Sequence, residues 1–393
     1  MHDFDLDRMQ AYRLGRLQDQ LRRHDCAAAV LLNPVNARYA TGFDDALIFN
    51  MHSPYRCVVV PAEGLATIFL LTNAPAKASR LNTVDEMRPA PSFTYFPAGE
   101  LSDRNARRWA QSVADNIREK VPGKRIAVDL IEPVGFAALQ AEGFDIVGAE
   151  RLVEQATAIK SADEIACLKN AVEVAQIAMG RIHEALKPGV SENDMFAILH
   201  QTNIEHGGEW IEYRLMAAGD HANPWGQQCG PRKIADGELL AFDCGMIGPQ
   251  GYSADVSRTF LCGDRPPSDE QKRLYGLAHE NVQFNLDLVK AGVSFREMSD
   301  RSWPLPREFV RHRYDILAHG IGMGDEWPIV PYPCDWEVKG SDGELETGMA
   351  ICIESFMGSE HGGEGVKLEQ QILVTDTGYD LMSTFPFEEN LLA

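Results

Sequence analysis

Five side chains set the problem: two aspartates, one histidine and two glutamates, all in apolar surroundings. Asp243 closes the run LLAFDCGM (239–246), and Asp255 follows in GYSADVSRTF. The turn Gly248-Pro249-Gln250-Gly251 lies between them, so a hairpin can bring both carboxylates to one point. Two buried carboxylates side by side repel unless one is protonated or a cation neutralises them. His319 opens the glycine turn HGIGMG, Glu354 lies within MAICIESF (349–356), and Glu369 within GVKLEQQILVT (365–375). Each acid alone has a plainer reading: a turn or capping carboxylate for the aspartates, an ion pair with Arg or Lys for the glutamates. Together, four carboxylates and one imidazole form a hard, oxygen-rich set that suits a pair of divalent cations sharing bridging carboxylates. Oxygen and imidazole donors serve Fe, Mn, Zn or Co alike.

The elements that must position these residues fall into two groups. A chain of 393 residues suggests two or three domains. Over the first 150 residues, helical spacing at 8–24 and 103–120 alternates with short apolar runs at 27–33, 56–62, 66–72 and 125–130, the pattern of a parallel or mixed α/β domain. The pattern changes between Val153 and Ser161, which divides the chain into 1–155 and 156–393. Ser161 and Glu164 have capping-box spacing and open a helix running to about Leu186, which Lys187-Pro188-Gly189 stops. A second helix runs from Ser191 to about Glu205, a third from Asp269 to Lys290, and a fourth pattern lies near 295–310. The stretch 207–264 and the C-terminal third read as strands and loops, which makes the second part α+β.

Composition narrows the partners. A formal charge of -21 excludes nucleic acid, which needs clustered Lys and Arg. Hydrophobic content of 45% is ample for a core, yet no apolar run reaches the roughly 18–20 residues that span a bilayer. The acidic start MHDFDLDRMQ lacks the apolar segment of a signal peptide, and none of the eight cysteines forms a CxxC pair. A reducing, cytoplasmic setting with free thiols is expected.

The ordered set Asp243, Asp255, His319, Glu354 and Glu369 resembles the metal ligands of the pita-bread (creatinase/aminopeptidase, M24) superfamily. The contexts match as well: GELLAFDCG, DVSRTF, HGIG, LETGMAICIES and GVKLEQQILVT, with KSADEI (160–165) as the linker motif. The resemblance covers almost the whole chain. It implies a pita-bread C-terminal catalytic domain behind a smaller α/β creatinase-like N-terminal domain, two bound divalent metal ions and a homodimer.

Within that superfamily a peptidase keeps two helper histidines beside its metals. The upstream region here reads NPWGQQCGPR (223–232), with His221 just before it. The second histidine's place, seven residues past His319, is held by Glu326 in DEWP. GGEWIEYRL (207–215), NPWGQQCGPR and HGIGMGDEWP (319–328) are more similar to the DddP-type dimethylsulfoniopropionate (DMSP) lyases, with HSPYR (52–56) and QAEGFDI (140–146) extending the likeness. That resemblance implies Asp325 as general base and Tyr314 at the substrate site, acting on a small-molecule carboxylate. Trp210, Trp225, Trp327 and Tyr314 are candidates to hold a sulfonium by cation–π attraction, each with plain packing as its alternative. Glu326 reads as a structural acid. Two positions depart from the DddP pattern: Gly245 stands where those lyases carry a further aspartate, and Phe49 replaces a tryptophan after Thr41. An Xaa-Pro-peptidase-like hydrolase, and a non-catalytic binding protein on the same fold, are the competing readings.

Overall fold

The computed structural model describes residues 1–44, 47–54, 56–70 and 81–392, of Leu47 only the backbone. The end of the expected strand 66–72, Tyr55 of HSPYR, and Asp45 and Ala46 of the loop after Thr41 lie outside the described residues. The chain divides into two compact units, Asp5–Thr157 and Ala158–Ala393, the second including Met1–Phe4. Those first four residues join it through His2, whose backbone N–H donates to Asn170 Oδ1 and whose carbonyl accepts from Asn170 Nδ2.

The N-terminal unit is built on a mixed six-stranded sheet of β1 (Ala28–Leu31), β2 (Arg56–Pro61), β3 (Ala66–Leu70), β4 (Val84–Pro89), β5 (Arg125–Val128) and β6 (Asp145–Gly148), in the order β4-β3-β2-β1-β5-β6. β1, β2 and β3 are buried throughout, as continuous apolar runs require. The helix Ser102–Lys120 lays Ala106, Trp109, Ala110, Val113 and Ile117, spaced at three and four residues, into the core.

The C-terminal unit is antiparallel. Its strands are β7 (Trp210–Ile211), β8 (Met216–Ala218), β9 (Leu239–Asp243), β10 (Met246–Ile247), β11 (Ser253–Ala254), β12 (Ser257–Leu261), β13 (Ile316–Ile321), β14 (Asp325–Pro331), β15 (Ala350–Gly358), β16 (Gly365–Val374) and β17 (Tyr379–Leu381). They form sheets ordered β11-β10-β7, β12-β9-β8 and β14-β13-β15-β16-β17. Helices Ala162–Ala185 and Glu192–Glu205 pack together, and Asp269–Leu286 packs on β15 and β16. Ser161 and Ser191 each start their helix with a complete capping box. The helical pattern near 295–310 gives only Phe295–Asp300 and a short 3-10 turn at Arg307–Phe309. Pro304 and Pro306 lie between, and neither can supply the N–H that a continuing helix needs. No helix among the described residues is long and apolar enough to cross a membrane.

Candidate metal centre

Strand register brings the five expected ligands together. Glu354 on β15 lies directly opposite Glu369 on β16, so both point to one face of the sheet. His319 on β13 lies opposite Cys352, two residues before Glu354, which puts the imidazole on that same face. Asp243 ends β9 opposite Ser257 on β12, and Asp255 precedes Ser257 by two residues. The backbone N–H of Asp255 donates to Gln371 Oε1 on β16 at 3.1 Å, tying this pair of strands to the larger sheet. All five side chains are buried.

His319 Nε2 stands 3.5 Å from Glu354 Oε1, 3.5 Å from Glu369 Oε1 and 3.9 Å from Asp255 Oδ2. Its Nδ1 lies 3.0 Å from the Gly320 carbonyl. Donation there fixes the tautomer and turns the Nε2 lone pair toward the carboxylates, the arrangement of a metal-binding histidine. Asp243 Oδ1, Glu354 Oε1 and Glu369 Oε1 are buried with no hydrogen-bond partner among the described residues. Three buried carboxylate oxygens without a hydrogen bond, two of them 3.5 Å from His319 Nε2, are costly unless a cation collects them. The donor set therefore fits divalent metal, and the triad Asp243, Glu354 and Glu369 and the triad Asp255, His319 and Asp325 each bring ligand atoms close enough to hold an ion.

The electrostatics agree. Burial pushes the Asp243 carboxyl up, Asp255 well up and Glu354 up to about 8. Glu369 is held at about 2, because the charges of Lys367 and His319 outweigh its burial. His319 is lifted to about 10 by Glu369 and Glu354, again against burial. Lys367 and a protonated His319 do not offset four carboxylates, and further protons take up the remainder unless divalent cations replace them.

Lys367, which sequence reasoning passed over, is fully buried in the centre. Its Nζ lies 2.8 Å from Glu354 Oε2, 3.3 Å from Asp243 Oδ2, 3.3 Å from Glu369 Oε2 and 2.9 Å from Ser257 Oγ. A signal existed: in GVKLEQ the lysine precedes Glu369 by two residues, and strand alternation puts both on one face. Tyr213 was also missed. Its hydroxyl donates to Asp255, 2.7 Å from Oδ1 and 2.8 Å from Oδ2. Its ring covers Gly245, so the space for a further acidic side chain there is filled.

The acidic pair of DEWP splits. Asp325 is exposed, with Oδ1 3.9 Å from His319 Nδ1, and its charge helps to raise Asp255. Glu326 is enclosed: Oε2 pairs with Lys160 Nζ at 2.6 Å and Oε1 accepts from the Met323 N–H at 3.0 Å. His221 is held by the buried Glu192 carboxylate, 2.9 Å from Nδ1, which also accepts from the Ala218 and Gly230 N–H groups. Among the expected substrate residues, Tyr314 and Trp225 flank Lys367, with Nζ 5.3 and 5.6 Å from their ring centroids. The Trp225 indole N–H is buried with no hydrogen-bond partner among the described residues. Trp210 is half-buried on β7. Trp327 packs edge-on against Phe295, 5.2 Å between centroids, at the margin of the hydrophobic core.

Comparison with known proteins gives a consistent result. Residues 166–376 match metallopeptidase family M24, and residues 13–165 match the creatinase/prolidase N-terminal domain. The chain is 38% identical to dimethylsulfoniopropionate lyase DddP of Roseovarius nubinhibens, covering 99% of this chain and 88% of that one. It is 35% identical to the DddP of Roseobacter denitrificans with the same coverage. Among solved structures, an Xaa-Pro dipeptidase from Bacillus anthracis superposes with a TM-score of 0.75 at 21% identity, over 96% of this chain and 99% of the other. That likeness establishes the shared fold.

Proposed function

This chain belongs to metallopeptidase family M24, with a creatinase/prolidase N-terminal domain ahead of it, and on that premise we propose that it is a lyase. The reaction is β-elimination from DMSP, or from a similar small β-substituted carboxylate. The observation that carries the reading is the division of DEWP: Asp325 stands open beside His319, while Glu326, at the place of a peptidase's second histidine, is closed off by Lys160.

Asp243, Asp255, His319, Glu354 and Glu369 would hold two divalent cations. Such cations, when bound, supply a seat for the substrate carboxylate and stabilise the charge that develops on it. The chain's own residues do the rest. The Asp325 carboxylate takes the α-proton of the substrate. The electron pair of that C–H bond forms the new C=C bond, and the C–S pair leaves on sulfur, giving dimethyl sulfide and acrylate. Trp225 and Tyr314, whose rings border the centre beside Lys367, would meet the sulfonium on the parts of their rings that Lys367 does not occupy. No attacking water is needed, so His221 can stay bound to Glu192.

Hydrolysis of an Xaa-Pro-type peptide is the second reading, favoured by one observation: Gly245, with Tyr213 over it, departs from the lyase pattern. The deciding experiment offers DMSP and an Xaa-Pro dipeptide in parallel, with Fe, Mn, Zn and Co added back in turn. Dimethyl sulfide in the headspace supports the lyase; peptide cleavage without it overturns that reading.

A further inference from the structure

We propose that His312 is a positioning residue for the cationic end of the substrate: through Asn223 it fixes the spacing of the Trp225 and Tyr314 rings, and so the size of the group that fits beside them. The inference rests on the reading of those two rings as sulfonium contacts.

The rings come from separate segments of the chain, and one hydrogen bond joins the segments next to them. Asn223 stands two residues before Trp225, and His312 two residues before Tyr314. His312 Nδ1 lies 2.9 Å from Asn223 Oδ1. A third residue settles the direction of this bond. Asn223 Nδ2 donates to the Ser359 carbonyl at 2.9 Å, which turns Oδ1 toward the imidazole. An amide oxygen only accepts, so His312 Nδ1 carries the proton, in the neutral ring and the charged one alike.

The seat for Asn223 is built into the sheet. Gly358 on β15 pairs with Gly365 on β16. A Cβ on Gly358 would fall 2.6 Å from Asn223 Oδ1, and one on Gly365 3.0 Å from the Ala222 carbonyl. Two facing glycines thus admit the loop against the sheet. Glu192 holds the loop elsewhere, through the Ala218 and Gly230 N–H groups and His221, but these contacts do not reach the Tyr314 segment. His312 supplies that link from a segment that is itself fixed. Its backbone N–H donates to the Phe309 carbonyl at 3.2 Å, and the Glu360 N–H donates to the Glu308 carbonyl at 3.1 Å. Phe356 supports the Trp225 ring from the sheet, 5.7 Å between centroids, so the clamp governs the ring's distance from Tyr314. Cation–π attraction needs the cation within about 6 Å of the ring centroid. A loosened pair would lose contact with a dimethylsulfonium and admit a larger head.

The test uses the metal-loaded full chain carrying Asp325→Asn as parent, so that DMSP is bound and not consumed. His312→Leu, His312→Asn and His312→Ser are each added to it. Calorimetry then measures the binding of DMSP, of its diethylsulfonio analogue, and of acrylate, which offers the carboxylate alone. His312→Leu should weaken DMSP about 10-fold, the diethyl analogue less, and acrylate by less than about twofold. His312→Asn places an amide N–H near the position of Nδ1 and should restore most of the DMSP affinity. A histidine that merely supports the fold would weaken all three ligands alike; that result overturns the proposal, as does unchanged DMSP binding in His312→Leu. Failure of the asparagine to rescue would show that the ring acts otherwise than through Asn223, and overturns it too. A parent that does not bind DMSP overturns the lyase reading, and this inference with it. If His312→Leu does not fold, His312→Ser, too short to reach Asn223, decides by the same comparison.

Discussion

The ring of Tyr213 lies where a side chain at Gly245 would have to go. A Cβ built on Gly245 falls 2.5 Å from both Cε2 and Cζ of that ring, while the phenol above them donates to Asp255. The two positions are therefore coupled. Gly245 has a φ of +44°, a region that aspartate tolerates better than most residues, so backbone strain is not the main obstacle to an acid there. The ring is. Gly245→Asp should destabilise the wild type by about 1–3 kcal/mol through overpacking, and cost that much less in a Tyr213→Ala background. Denaturant melts of the four proteins measure the coupling; additive effects would show that the contact carries no energy.

Asp325 is exposed, so its replacement leaves no cavity or buried charge. Asp325→Asn should keep metal content and Tm near wild type while lowering elimination by about 10²–10⁴-fold, the usual worth of a positioned base. Metal analysis and dimethyl sulfide release on one preparation check this. Undiminished turnover removes Asp325 as the base.

Glu326 behaves oppositely. It and Lys160 form an ion pair with both side chains almost fully enclosed. Lys160→Met strands the enclosed Glu326 carboxylate and should cost about 3–5 kcal/mol of stability, and Glu326→Met should destabilise as well. The double variant Lys160→Met/Glu326→Met should cost less than the sum. Thermal melts decide the matter; a loss of turnover without a loss of stability would instead make Glu326 part of the chemistry.

These contrasts explain what the sequence could reveal. Glu354 and Glu369 stood out because an acid inside a run of Ile, Val and Leu is anomalous by itself, and both helix starts were legible because a capping box is complete within four residues. The fates of Asp325 and Glu326 were not legible, since Lys160 lies 166 residues away. Tyr213 reaches Asp255 across 42 residues and covers a glycine in the link between β9 and β10. Lys367 could have been placed beside Glu369 by alternation, but its reach to Asp243 and Glu354 depends on how three strands meet. Local signals marked the anomalous residues; the partners that give them their roles come from register.

The same buried charges predict how the metal-free protein responds to pH. Glu354, at 4.5 when unperturbed, is raised to about 8 by burial. Between these values the folded chain keeps a proton that the unfolded chain has lost, so stability falls as pH rises through that window. Asp243 and Asp255, also pushed up by burial, act in the same direction. His319, raised from 6.5 to about 10, contributes stability that is complete below 6.5 and lost as pH rises toward 10. Glu369, lowered to about 2, works the other way, but its contribution is complete above 4.5 and is lost only in acid. From about pH 6 to about pH 9 the metal-stripped protein should therefore lose Tm steadily. Metal binding displaces these same protons, so the metal-loaded protein should fall less, and the gap between the two melts should widen with pH. Calorimetry at several pH values, with and without excess Mn(II), measures that gap. A gap that stays constant or narrows would mean that the buried carboxylates and His319 do not share their protons with the metal.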